Sequence, residues 1–271
     1  MYEAYWQLET KPFGPTDARA YYPSEVHQGA LLKLRYAVEN RLGAAVLAGA
    51  SGLGKTLLVH ALRRQLPPAA APFVHLVFPQ MNQRELLAYL AGELRGEPAA
   101  AGAGVDQTIR QIAAFLEANT ARQRHAVVVV DEAHLLADGE LLETLRLLLN
   151  FEADGAPQLT LLLVGEPLLL PTLDRAAALE ERVGVKCLLR AFTLEETMSY
   201  VSHRMTAAGA RRDVFTSDAL HTLHSLTLGN PRRINRLCDL ALLIGFAEER
   251  REIVPDLLEA VSSELVAVVP E

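Results

Sequence analysis

Gly49-Ala50-Ser51-Gly52-Leu53-Gly54-Lys55-Thr56 carries the spacing G-x-x-x-x-G-K-[ST] in full. The chemistry open to such a set is phosphate binding. Glycines let the backbone curl until several N–H groups face one anion, and a helix starting at the loop adds the positive end of its dipole. Lys55 would bring a mobile positive charge to the β- and γ-phosphates of a nucleotide, and the Thr56 hydroxyl would ligate Mg²⁺. The cradle then runs from Gly49 into the first helical turn at Leu57. A second set follows at Asp131-Glu132, directly after the apolar run Ala126–Val130. Asp131 would hold Mg²⁺ through water, and Glu132 would polarise an attacking water as general base. A Glu after the Asp suits a hydrolase better than a kinase, which has no water to activate. A third carboxylate, Glu166, stands in Gly165-Glu166-Pro167. Three carboxylates do not ionise cheaply at one site. Either Mg²⁺ and Lys55 offset the charge or Glu166 points away. Arg232, after Gly229-Asn230-Pro231, could reach a γ-phosphate from a lid. Arg182 could serve a neighbouring subunit's nucleotide as an arginine finger, with Arg175 as its rival.

These residues need elements to hold them. Ala44–Ala48 reads as a fully buried strand, and a helix begins around Thr56. Similar runs at Phe73–Phe78, Ala126–Val130, Leu159–Val164 and Val183–Leu189 alternate with helical patterns at about 82–94, 106–118 and 139–150. Strands apolar on both faces, alternating with helices, predict a parallel sheet covered on both sides. A strand that ends in Asp131-Glu132 delivers them to the crevice at the carboxyl ends of that sheet. His27 to about Arg41 is a helix, and Gly96–Gly104 reads as a surface loop or hinge. After Arg190 the strand signals stop. Thr193 and Glu196 form a capping box, Ser217 is the expected cap of the next helix, and Pro255 opens the last. Residues 1–190 are therefore expected to be an α/β domain and 191–271 an all-helical one. The first 25 residues, rich in aromatics and broken by Pro12, Pro15 and Pro23, are read as extended chain packed on something.

Composition sets limits. In 271 residues, half are apolar and 22% charged, so a disordered or fibrous chain is excluded. Cys187 and Cys238 lack metal-ligand spacing, which fits a reducing, cytoplasmic setting. Neither a signal peptide nor a membrane span is legible. The net charge of −7 speaks against a protein that coats DNA.

The residues also resemble a family. Met1-Tyr2-Glu3-Ala4-Tyr5-Trp6, Lys11-Pro12-Phe13, Asp131-Glu132-Ala133-His134, Leu145–Glu152 and Asn230–Asp239 are similar to signatures of the AAA+ ATPases of the general secretion pathway protein A (ExeA) group. The resemblance implies a P-loop NTPase fold: a five-stranded parallel sheet in the order 5-1-4-3-2, followed by a helical lid. It implies ATP with Mg²⁺ as cofactors, Arg232 as sensor 2, Arg182 as the finger from the next subunit and Pro12-Phe13 near the adenine. The family commonly has Gln where this chain has Glu166. Better-known members continue into a membrane span and a peptidoglycan-binding region, neither of which lies within these 271 residues. The expectation is thus a bare module, a homo-oligomer in ring or filament form, that drives a protein of a secretion, pilus-like or envelope system and meets the inner membrane only through that partner. Transposition ATPases of the TniB, TnsC and MuB kind share the core, so DNA is the alternative partner, with basic pairs such as Arg63-Arg64, Arg211-Arg212 and Arg250-Arg251 as its face. A switch that binds ATP without turnover is the third reading.

Overall fold

A computed structural model describes residues 1–14, 21–97, 104–136 and 139–267. The expected break at Pro15 and residues 98–103 of the expected loop lie outside them. The chain forms two compact units. One comprises Glu25–Ser51 and Leu58–Leu189; the other comprises Met1–Ser24, Gly52–Leu57 and Arg190–Glu271.

The first unit is built on a parallel sheet of β1 (Ala44–Ala48), β2 (Phe73–Leu76), β3 (Ala126–Val130), β4 (Leu159–Gly165) and β5 (Val183–Leu188). Its order is β2-β3-β4-β1-β5, the predicted 5-1-4-3-2 read from the other edge. Every residue of β1, β3 and β4 is buried, as continuous apolar runs require when helices cover both faces. β2 and β5 sit at the edges, and their burial alternates. For both this corrects the expectation of runs buried on both faces, and Val77 and Phe78, expected in the second strand, lie beyond β2 and are exposed. One face of β5 packs on the helix Glu25–Glu39, where Cys187 Sγ lies 3.9 Å from the Ala30 carbonyl, and Gly184 and Lys186 on the other face are exposed. Helices α1 (Glu25–Glu39), α2 (Lys55–Gln65), α3 (Gln83–Arg95), α4 (Val105–Ala121) and α5 (Glu140–Leu148) follow the predicted periods within a residue or three. Asn82 and Glu85 cap α3 reciprocally. Two short helices, α6 (Leu169–Arg175) and α7 (Ala177–Glu180), and a hairpin pairing Glu152–Ala153 with Ala156–Pro157 had no periodic signal to give them away.

Register decides what emerges at the carboxyl edge. Ala48 of β1 pairs with Gly165 of β4, and Val130 of β3 pairs with Leu163. The Gly49 N–H donates to the Gly165 carbonyl at 3.1 Å, so the segments leaving β1 and β4 start side by side.

The second unit packs α8 (Leu194–Ala207), α9 (Ser217–Thr227), α10 (Pro231–Ala247) and α11 (Pro255–Ala267). Thr193 and Glu196 make the predicted capping box of α8. For α9 the cap is Thr216, not Ser217. The Thr216 hydroxyl accepts the Ala219 N–H at 3.2 Å, and Ser217 is already the first helical residue. Met1–Ser24, assigned to the α/β region by the expected boundary, packs here instead. Trp6 is fully buried, and its indole N–H donates to the Leu242 carbonyl of α10 at 2.9 Å. The Tyr2 hydroxyl bonds Asp239, and the Pro12 carbonyl accepts Arg204 Nε at 2.6 Å. The reason is chemical: a polar-tipped aromatic buries its ring only where its donor finds an acceptor, and α8 and α10 supply the acceptor or the charged partner.

Candidate functional site

The segment after β1 turns on two glycines. Gly52 and Gly54 have φ of 84° and 88°, a left-handed region strained for any side chain. α2 then opens at Lys55, which is buried although charged. The tip of this loop, Gly52–Leu57, belongs to the helical unit, where the start of α10 lies against it. Asn230 caps α10, its Oδ1 accepting the N–H of Arg232 at 3.1 Å and of Arg233 at 3.3 Å, with Pro231 at the first helical position. The Arg232 N–H also points at the Gly52 carbonyl, 3.3 Å away. A Cβ on Gly52 would lie 2.6 Å from Asn230 Oδ1 and 2.9 Å from Arg232 Cβ. Glycine is needed at 52 for its φ and for this approach alike. Arg232 is thereby brought to Gly52–Leu57. Gly49, Ala50 and Ser51 belong to the sheet unit.

That unit gathers the carboxylates at the carboxyl ends of β3 and β4. Asp131 is buried, its Oδ1 accepting the Glu132 N–H at 3.0 Å and its Oδ2 lying 3.3 Å from His75 Nε2. His75 stands edge-on to His60 at 5.6 Å, and burial holds His60 below its ordinary pKa, with the His75, Arg64 and Arg63 charges adding to the effect. Glu132 sits at φ 51°, ψ 34°, a left-handed conformation that costs a non-glycine residue on the order of 1 kcal/mol. The sharp turn feeds a single 3₁₀ turn, Ala133–Leu135. This swings His134 back across the end of β4, where its Nδ1 lies 3.4 Å from Glu132 Oε2 and accepts the Glu166 N–H at 3.2 Å. The backbone of Glu166 is thus tied to the Asp131-Glu132 segment. His134 stands in the quoted Asp-Glu-Ala-His stretch, but spacing gave it no role; its contacts arise from the Glu132 turn, which no periodicity records.

The arginines divide. Arg182 precedes β5, whose first residue Val183 is level with Ala44, so it lies at the amino end of the sheet, away from the carboxylates. It donates to Glu152 Oε1 at 3.1 Å and Asn150 Oδ1 at 3.3 Å, which gives the Asn150 and Glu152 positions of the signature stretch a structural task. Arg175 is exposed in the last turn of α6 and reaches Thr172 Oγ1 at 3.4 Å. Phe13 is buried in the helical unit, edge-on to Phe215 with the Arg204 guanidinium 5.8 Å from its ring. Members of the basic pairs also serve the fold. Arg63 covers Phe73 at 5.5 Å, Arg212 donates to the Arg251 carbonyl at 2.8 Å, and Arg250 pairs with Glu248 at 2.9 Å.

The AAA domain family matches residues 39–173, a stretch that contains the phosphate loop, Asp131-Glu132 and Glu166. General secretion pathway protein A of Aeromonas hydrophila is 35% identical over 257 residues. Residues 39–173 thus carry an AAA domain, and nearly the whole chain is similar to general secretion pathway protein A. Of that relative's length, the aligned region spans 46%, against 94% of this chain. Among solved structures, the ORC2 protein of Aeropyrum pernix, with ADPNP and ADP, aligns with a TM-score of 0.69 at 20% identity over 94% of this chain and 72% of its own. Drosophila ORC bound to DNA gives 0.69 at 16% identity, over 94% and 64%. The RuvB branch-migration motor of Thermotoga maritima gives 0.59 at 18%, over 94% and 73%. At such identities these structures establish the fold of this AAA+ chain, a P-loop NTPase sheet with a helical C-terminal region. No described helix is long and apolar enough to cross a membrane.

Proposed function

We infer that this AAA+ chain is an ATP-hydrolysing module that assembles as an oligomer and drives or switches a protein partner of a secretion, pilus-like or envelope system. The observation that carries the inference is Asp131-Glu132 at the carboxyl end of β3, with β4 alone between β3 and the strand that leads into the phosphate loop. Two sheet spacings, about 10 Å, separate those strands, a span that a nucleotide's phosphates and a cation fit. The backbone of Gly49–Gly54 and the Lys55 ammonium would bind and orient the phosphates, with Thr56, Leu57 and Arg232 beside them. Thr56 and Asp131 would hold Mg²⁺, which when bound neutralises phosphate charge. The Glu132 carboxylate would take the proton of the attacking water. Glu166 presents its N–H to His134, and its side chain is where this chain departs from the Gln common in the group. Arg182, or its rival Arg175, would reach the neighbouring subunit's nucleotide. The kinship with general secretion pathway protein A supports an envelope partner, and the structural engagement of Arg63, Arg212 and Arg250 counts against a DNA face.

Nucleotide binding and phosphate release, measured together, test the assignment. Lys55→Ala should abolish binding; wild-type affinity in that variant would sink the phosphate loop as the site. Glu132→Gln should bind ATP and lower turnover at least about 100-fold. Salt-sensitive, ATP-dependent DNA binding would move the partner from protein to nucleic acid.

A further inference from the structure

Three residues around one ring nitrogen carry more than the AAA+ assignment states. The Glu166 N–H donates to His134 Nδ1 at 3.2 Å, and Glu132 Oε2 lies 3.4 Å from the same atom. A ring nitrogen offers either a lone pair or a hydrogen. Accepting the Glu166 N–H requires the lone pair on Nδ1, which leaves Nε2 to carry the ring's hydrogen. The Glu132 carboxylate then faces an acceptor and receives no hydrogen bond from the ring. It remains available to a water. With the proton on Nδ1 the arrangement inverts: the ring would donate to Glu132, and the Glu166 N–H would lose its acceptor.

Backbone placement is built for this sharing. The left-handed turn at Glu132 returns the chain toward β4. Gly165, the last residue of β4, makes room: a Cβ there would come 3.0 Å from the His134 backbone nitrogen and 3.3 Å from Nδ1. Any side chain at 165 would push the ring or the Glu166 backbone away.

We propose that His134 is a positioning residue, whose unprotonated Nδ1 ties the Glu166 backbone to the end of β3 and leaves the Glu132 carboxylate free of the ring to act on water. This rests on the hydrolytic reading of Glu132. It adds that the residue after β4 acts in this chain through its backbone N–H, whichever side chain it carries.

The test uses the full chain with His134→Leu and His134→Asn, whose Oδ1 can stand where Nδ1 stood. ATP affinity and kcat are measured for both, with ¹⁵N imidazole spectra of the wild type. Expected are a kcat lowered about 10- to 100-fold in His134→Leu with affinity within about two-fold, most of it recovered in His134→Asn, and an Nε2–H tautomer. Wild-type turnover in His134→Leu, equal losses in both variants, or a proton on Nδ1 would overturn it. A wild-type chain that binds ATP without turnover sinks the hydrolytic reading alone, and the nitrogen spectrum still decides the His134 bond.

Discussion

The two units hold together by different chemistry. Among the described residues, the buried members of the sheet core are Ala, Val, Leu and Ile without an aromatic, whereas the helical core buries Tyr2, Trp6, Phe13, Phe192, Tyr200 and Phe215. In the sheet, burial is spread over many similar side chains, each contributing about 1.5–3 kcal/mol. In the helical unit a few large anchors carry more apiece, and three come from the N-terminal segment, far away in sequence. Distributed aliphatic packing positions β1, β3 and β4 by register; anchored aromatic packing lets a remote segment brace the helix that carries Arg232.

Substitutions can break that contrast. The largest stability effect should come from Trp6→Ala, which removes a fully buried ring and its hydrogen bond to Leu242 and should cost about 3–5 kcal/mol. Hydrogen exchange should speed up in α10 and leave β1 and β3 protected; equal acceleration in both would mean that the cores are not separately anchored. Acid should act on the sheet unit through His125. Burial, helped by the Arg41 charge, lowers its pKa from 6.5 to about 4. Its Nε2 lies 2.8 Å from Thr160 Oγ1, which itself donates to the Leu42 carbonyl at 2.7 Å, so the ring supplies the N–H. The folded state therefore prefers the neutral ring. The stability this confers is complete above pH 6.5 and is lost as pH falls from there toward 4, by at most ~3 kcal/mol. His125→Asn should flatten that limb of a denaturation series. Smaller still, Thr216→Ala should cost about 1 kcal/mol through the cap of α9, while Ser217→Ala should cost much less. The reverse order would reinstate Ser217 as the cap. For Arg182, loss of activity in Arg182→Ala should be restored when it is mixed with Glu132→Gln, and no rescue would leave Arg182 to its bonds with Glu152 and Asn150.

The same contrast explains what could be read from the sequence. β1 and β3 are continuous apolar runs, and β4 is broken only by Thr160, whose hydroxyl is buried with its hydrogen bonds made, so all three read as strands buried on both faces. Their spacing from Gly49–Thr56 and from Asp131-Glu132 made the phosphate loop and the paired carboxylates legible together. The aromatics of residues 1–24 announced burial but not its location, because a ring's partner is chosen by a distant acceptor such as the Leu242 carbonyl. The edge position of β5 follows from sheet order rather than from its own residues. Thr216 and Ser217 are both good caps, and only backbone geometry picks one. His134 escaped because its task depends on a left-handed Glu132, a conformation without a sequence signature in a non-glycine residue.

Trp6 is the only tryptophan of the chain, and it is fully buried in the helical core. Indole emission is therefore a private optical channel to one half of the molecule. Fluorescence unfolding reports the helical unit alone, far-ultraviolet dichroism reports both, and any lag between the two curves measures how independently the halves melt.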